Sequence, residues 1–351
     1  MSRRIFFMLV ITALLLACLP TITIPVATQP AAPTYTSVPP TAKPAFPTVT
    51  TEPLLFTTPT ITNSQDYDVR NSLTITNLGP GRASKLEIKI AVILDHPPTQ
   101  DVLSFEATPG EMLPRIVDDF GNEFAVFEFY DIDPWESVTV AFHYQIRVYE
   151  LHYAWSACQG EVIDAYLQPV TYIESNDPQI VALAAQLGQG LDTLCAKTRA
   201  YYDYVTSNLT YLAYNPGDLG ALWALSEGGG DCTEFSDVFI ALNRAGGIPA
   251  RFLEGVVYYL GEYSEGDVKH DWSEVYWPGI GWVPMDATWG RHWEDRETYF
   301  AGMSADHIVV TRGRNLEPLE GGHFYLWNYW LESLATEMRD DEFWSVSKVE
   351  H

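Results

Sequence analysis

The sequence predicts two folded parts in series, an antiparallel β-sandwich followed by an α+β domain. Three observations predict it. Short runs alternating apolar with polar residues fill 63–155, helical periodicity sets in near Asp177, and a Gly-Gly-Gly-Asp-Cys stretch opening a helix precedes an aromatic β-hairpin. With 351 residues, 47% of them hydrophobic and including 11 Trp, 20 Tyr and 16 Phe, the chain can fill both cores.

At the N-terminus Arg3 and Arg4 precede an apolar run from Ile5 to Leu16, short for a bilayer span and suited to an export signal. It closes in Leu15-Leu16-Ala17-Cys18, which is similar to a bacterial lipobox, so residues 1–18 are expected to be a signal peptide with Cys18 lipidated. The alternative is a plain signal peptide with an incidental Cys. Residues 19–62, rich in Thr, Pro, Ala and Val, lack the large apolar side chains of a core and read as an extended linker. The expected location is therefore extracytoplasmic, membrane-anchored through Cys18, or secreted if Cys18 is not acylated.

A formal charge of −26, from 46 acidic and 20 basic residues, without a Lys/Arg stripe, excludes nucleic acid as a partner. The sandwich is expected over 63–155, with strands such as Lys85–Ile90 and Ser137–Phe142 separated by turns at Asp119–Asn122 and Asp133–Glu136. His96, His143 and His152 fall here and read as surface or packed histidines.

The second domain is expected over 156–351, with its core at 177–290. Asp177-Pro178 is a cap followed by a first-turn proline, and Leu183, Leu187, Leu191 and Leu194 mark one face of a helical stretch running to about Ser207. Cys158 and Cys195 are left to each other as a disulfide pair in an oxidising compartment. No CxxC spacing occurs, so neither a structural metal site nor a cofactor is expected.

Cys232 follows Gly228-Gly229-Gly230-Asp231, and Phe235, Val238, Phe239 and Leu242 then recur at helical spacing until Gly246-Gly247. Asp231 and Glu234 stand in the capping-box relation, which fixes Cys232 in the first turn. There the unpaired N–H groups and the helix dipole favour thiolate over thiol, and the same N–H groups can receive an oxyanion. The glycines are read as leaving room for a substrate backbone. A buried core cysteine is the plainer reading of this segment taken alone.

A base is offered by the next run. Lys269–Trp277 and Trp282–Asp286 flank Pro278-Gly279-Ile280-Gly281 and read as a hairpin. Pairing centred on Pro278 sets His270 directly opposite Asp286, so that His270 takes the thiol proton while Asp286 fixes its tautomer. Asp271 is a rival orienter pointing to the other face. His292, His307 and His323 compete as bases without a comparable setting.

The segments GGGDCTEFSDVFIALNRAGGIPARFLEG and HDWSEVYWPGIGWVPMDATWG resemble the bacterial transglutaminase-like superfamily, over roughly Asp192 to Trp289. The resemblance implies a papain-like fold with Cys232 as nucleophile, His270 as base and Asp286 as the third member. The strand region upstream is similar to the immunoglobulin-like sandwich often fused before it. Asp271 stands where Ala is usual and Ala287 where Pro is usual. Ile248–Arg251 reads as structural, with Arg251 available to a carboxylate, and Trp272, Trp277, Trp282 and Trp289 read as core, the alternative being the lining of an acyl-substrate groove. The implied activity is acyl transfer or hydrolysis at amide bonds of protein or peptide substrates through a Cys232 thioester, with water favoured over a crosslinking amine as acceptor. The rival is a surface binding or scaffold module whose cysteine is inert.

Overall fold

Alternation in the N-terminal half becomes strands with one face on a core. In β1 (Thr60–Pro80) Tyr67, Val69, Leu73 and Ile75 are buried at every second position kept apolar, as a pleated strand requires. β2 (Ala83–Val92) does the same with Leu86, Ile88 and Ile90. After β3 (Gln100–Thr108), β4 (Leu113–Val117) and β5 (Glu123–Ile132), β6 (Ser137–His152) buries Val140, Phe142, Tyr144, Ile146 and Val148. The structure, a computed structural model, describes residues 58–350 except 111–112, 156–157, 159, 161, 164–165, 216, 260–267 and 333. The signal segment, Cys18 and the linker as far as residue 57 lie outside the described residues.

Helices follow. α1 (Pro178–Leu187) is capped by Asp177, whose Oδ1 accepts the Gln179 N–H at 2.8 Å. The helical stretch expected to run on to Ser207 is broken here. Gly188 ends α1, Gly190 takes φ +77°, and α2 (Leu194–Asn208) begins afresh on a Thr193 cap. Short β7 (Thr210–Tyr211), α3 (Ala221–Glu227) and β8 (Gly229–Gly230) lead into α4 (Cys232–Ala245). The capping box between Asp231 and Glu234 is present at its start, and Gly246 and Gly247 end it.

β9 (Ala250–Val257), β10 (Lys269–Trp277), β11 (Gly281–Met285), the short β12 (Gly302–Met303) and β13 (His307–Arg312) follow, then β14 (Tyr325–Leu331) and β15 (Thr336–Lys348). β11-β10-β9-β13 form an antiparallel sheet. Phe235, Val238, Phe239 and Leu242 of α4 share a core with Phe252, Val275, Trp277, Val283 and Met285 of that sheet. Each such side chain contributes on the order of 2 kcal/mol on burial, which ties the helix bearing Cys232 to the strands bearing His270.

The domain division expected at 155/156 does not hold. The described residues, 58–350, all fall within one compact unit. β15 pairs with β1 from Tyr67↔Lys348 to Pro80↔Thr336, and β14 pairs with β2, so the final strands complete the two sheets begun at the N-terminus. β12 adds to the edge of β6. An immunoglobulin-like sandwich confined to 63–155 would leave the flanks of β1 and β2 unpaired. The two sheets, β12-β6-β1-β15 with β3 also on β6, and β14-β2-β5-β4, share a core that Val256, Ile308 and Val310 of the third sheet enter.

Candidate active site

α4 presents Cys232 at its first residue, partly accessible and unpaired. The glycines before it serve the protein's own packing. A Cβ on Gly229 would meet the Thr210 carbonyl and one on Gly230 the Glu234 side chain, so their absence lets β7 lie parallel against β8. The expectation that they clear a path for substrate is corrected at Gly229 and Gly230 by these contacts.

The hairpin register differs from the expected one. Ser273 pairs with Met285 and Trp277 with Gly281, a frame displaced by two residues, and His270 pairs instead with Gly255 of β9. A two-residue displacement preserves the face. Asp286, one step beyond β11, still reaches His270 diagonally, and the imidazole Nε2–H donates to Oδ2 at 2.8 Å. Oδ1 accepts the N–H groups of Thr288 at 2.7 Å and Trp289 at 3.0 Å. Burial opposes ionisation of Asp286, but His270 and His307 outweigh it and hold the carboxyl well below its usual range. With Nε2 engaged, Nδ1 of His270 is the nitrogen left for a proton from the thiol. Cys232 and His270 line one cavity of about 240 Å³, with Tyr211, Tyr259, Thr288 and Trp289.

His307, set aside in the sequence as a rival base without a comparable setting, belongs to this site. It is wholly buried on β13, its Nε2 3.3 Å from Asp286 Oδ2 and its Nδ1 2.6 Å from Asp306 Oδ1. A carboxylate can only accept, so both ring nitrogens carry protons and the ring is an imidazolium. Burial works against that charge, yet Asp306 and Asp286 carry its pKa up to about 9. Trp289, read as core, stacks on His270 at 5.2 Å and meets His307 edge-on at 4.5 Å. The ligand-type atoms of His270, Asp286 and His307 lie within 4.8 Å of one another, the one such grouping among the described residues, and they already serve each other as donor and acceptor.

Asp271 has a different part from orienter. It lies on the opposite face of β10, accepts the Thr233 hydroxyl at 2.6 Å, and stands 3.9 Å from the Cys232 sulfur. Burial and the carboxylates of Asp271 and Asp231 push the thiol's pKa well up. The dipole of α4 offers about 0.3–2 kcal/mol in favour of thiolate. A full negative charge near 4 Å opposes it by roughly 4 kcal/mol at an effective dielectric of 20, so the carboxylate wins. The resting thiolate expected from the helix start is corrected accordingly. Burial and Glu254 in turn raise Asp271 to about 7, so its charge is itself conditional near neutrality.

The remaining histidines stand elsewhere. His323 meets Glu254 at 2.5 Å and Asp218 at 3.5 Å, and His292 lines a neighbouring cavity. His96, His143 and His152 each face a carboxylate, Glu274, Asp68 and Glu150. Arg251 pairs with Glu274 at 2.6 Å. Cys158 and Cys195 are joined, their Cα atoms 5.9 Å apart, which links the segment after β6 to the start of α2.

Residues 181–287, which hold Cys232, His270 and Asp286, match the family model of the transglutaminase-like superfamily. The uncharacterized protein YebA of Bacillus subtilis is 33% identical over 146 residues, covering 36% of this chain and 19% of that protein. An uncharacterized Haemophilus influenzae protein is 37% identical over 76 residues, covering 16% and 21%. The chain thus spans about a fifth of the length of these curated relatives. The crystal structure of a candidate cysteine protease from Cytophaga hutchinsonii shares the fold, with a TM-score of 0.58 at 16% identity over 84% of this chain and 93% of that one.

Proposed function

We propose that the transglutaminase-like domain of this chain performs thiol-dependent acyl chemistry at amide bonds of proteins or peptides, outside the cytoplasm. One observation carries the reading: Cys232, at a helix start, opens on the same cavity as His270, whose other nitrogen is held by Asp286. The extracytoplasmic assignment rests on the export signal and on the Cys158–Cys195 bridge, a pairing that belongs to oxidising compartments. Lipid attachment at Cys18 is part of the proposal.

Because burial, and after it the carboxylates of Asp271 and Asp231, keep the thiol protonated at rest, attack proceeds by general base catalysis. His270 Nδ1 takes the proton as Sγ bonds to the amide carbonyl carbon, and the backbone N–H groups opening α4 face the oxyanion. The imidazolium then protonates the leaving amine as the C–N bond breaks, leaving a thioester on Cys232. Water completes hydrolysis, and a primary amine in its place completes transfer. Asp286 keeps the proton on Nε2 and stabilises the imidazolium throughout.

The protonated thiol also favours a second reading, a binding module with an inert cysteine. A peptide library incubated with the protein, with and without an added amine, tests both. The expected result is cleavage that His270→Ala or Cys232→Ala abolishes and that Asp286→Asn lowers by about 10²–10⁴ with the fold retained. No turnover, together with Cys232 reacting no faster than a free thiol and indifferent to His270→Ala, establishes the inert module.

A further inference from the structure

Arg291 is the exceptional charge in this cavity. Around the sulfur stand Asp271 and Asp231, and Lys269, which also lines the cavity, is ion-paired to Glu342. Arg291 has no carboxylate partner among the described residues. Its Nη1–H donates to the Thr288 carbonyl at 2.6 Å, and its guanidinium lies over the Tyr211 ring at 4.5 Å.

The position of Arg291 is fixed through Asp286. A 3-10 turn, Trp289–Arg291, is pinned at its start by the two N–H groups given to Asp286 Oδ1 and by Gly290 N–H donating to the Asp286 carbonyl at 3.1 Å. Gly290 lies so close to the Tyr202 hydroxyl that a Cβ has no room. The guanidinium is therefore held on the same support that orients His270. Thr288 lines the cavity too, and its buried hydroxyl oxygen has no partner among the described residues. A second cavity of about 410 Å³ adjoins the first and shares Tyr259, Trp289 and Arg291 with it.

We infer that Arg291, with the Thr288 hydroxyl, binds a carboxylate of the acyl donor beside the amide attacked by Cys232. A planar guanidinium without an internal anion presents two parallel N–H donors to a carboxylate. The rest of the donor continues into the larger cavity. The inference rests on Cys232 as the nucleophile, and it accounts for a cation that has no carboxylate partner among the described residues of a chain of net charge −26.

The test compares alkylation of Cys232 by iodoacetate and by iodoacetamide, reagents alike in size and leaving group but different in charge. In both the S–C bond forms, C–I breaks, iodide leaves and the thiol proton passes to base. The readout is the ratio of the two rate constants, which does not depend on how activated the thiol is. Arg291→Gln is expected to lower the iodoacetate-to-iodoacetamide ratio about tenfold, with Arg291→Lys between. An unchanged ratio in Arg291→Gln, at a thermal midpoint matching wild type, overturns the inference. If Arg291→Gln does not fold, a wild-type ratio in Arg291→Lys overturns it, since a point charge cannot reproduce the fork. Blocked peptides containing Glu or Gln, and peptides ending in a free carboxylate or an amide, then serve as protectors against iodoacetamide. Protection by the acid form over its amide identifies a side-chain or a terminal carboxylate as the ligand, and equal protection by both forms in both series refutes it. Slow reaction of Cys232 with both reagents, independent of His270, instead refutes the nucleophile.

Discussion

Burial, and after it the Asp271 carboxylate, oppose ionisation of the Cys232 thiol. The Asp271 carboxyl is pushed up to about 7 by burial and Glu254, so above that pH a negative charge stands 3.9 Å from the sulfur and below it the charge is absent. Removing the carboxylate lowers the thiol's pKa. Asp271→Asn is expected to shift the pH midpoint of iodoacetamide alkylation downward, raising the rate at pH 8 by on the order of tenfold and less at pH 6. A midpoint that stays or rises would show that the charge is screened. His307 acts in the opposite sense, as a cation beside Asp286. Its folded pKa, about 9, lies above the unfolded value near 6.5, so its contribution to stability is whole below about 6.5 and is lost as pH rises through 9. The thermal midpoint should fall across that interval in wild type and much less in His307→Gln, a difference of a few kcal/mol at most. The charged and titratable groups facing the ring are Asp306, Asp286, His270 and Tyr299. Cys232, His270 and Asp286 could be read in sequence because each sits in a local motif. His307 could not, since its partner Asp286 lies 21 residues earlier and is reached only by the pairing of β13 with β9. The Asp306-His307 doublet was the one available signal.

Elements were legible where a local rule fixes them. The capping box set the first residue of α4, and alternation set β1 and β6. Loop geometry was not legible: a turn centred on Gly279 in place of Pro278 displaced the hairpin register by two, and face parity alone preserved the meeting of His270 with Asp286. Such tolerance has a limit at Gly255. It lies between His270 on β10 and Val309 on β13, and a Cβ there would strike the Ile308 carbonyl and the Trp272 ring. Gly255→Ala must therefore part the strands that hold His270 and His307. The expected cost is roughly 1–3 kcal/mol of stability by denaturant unfolding, with a loss of Cys232 reactivity greater than in an equally destabilised variant such as Val69→Ala, whose site lies in the other core. Equal loss in the two variants would remove any special role for this seam.

Over the whole molecule, the partition into domains is where sequence and structure part furthest. Contiguous alternation at 63–155 reads as a complete sandwich, but composition cannot reveal that two inner strands await partners more than 230 residues away. β15 runs along β1 through thirteen pairs from Tyr67↔Lys348 to Pro80↔Thr336, and Trp344 enters the sandwich core beside Phe324. Ile308 and Val256 join that core from the sheet that carries His270, so the apolar contact is continuous from the sandwich to the strands of the candidate site. Unpairing β14 and β15 would expose the backbone groups of β1 and β2 and open this core at once. The chain should therefore unfold in one step, with far-ultraviolet circular dichroism and tryptophan fluorescence changing together. Truncation before Tyr325 should abolish cooperative unfolding and the reactivity of Cys232, although every member of its Cys-His-Asp set remains in the chain. Two separate transitions, or a truncated chain that still alkylates at the wild-type rate, would mean that the α+β part stands alone as the alternating pattern first implied.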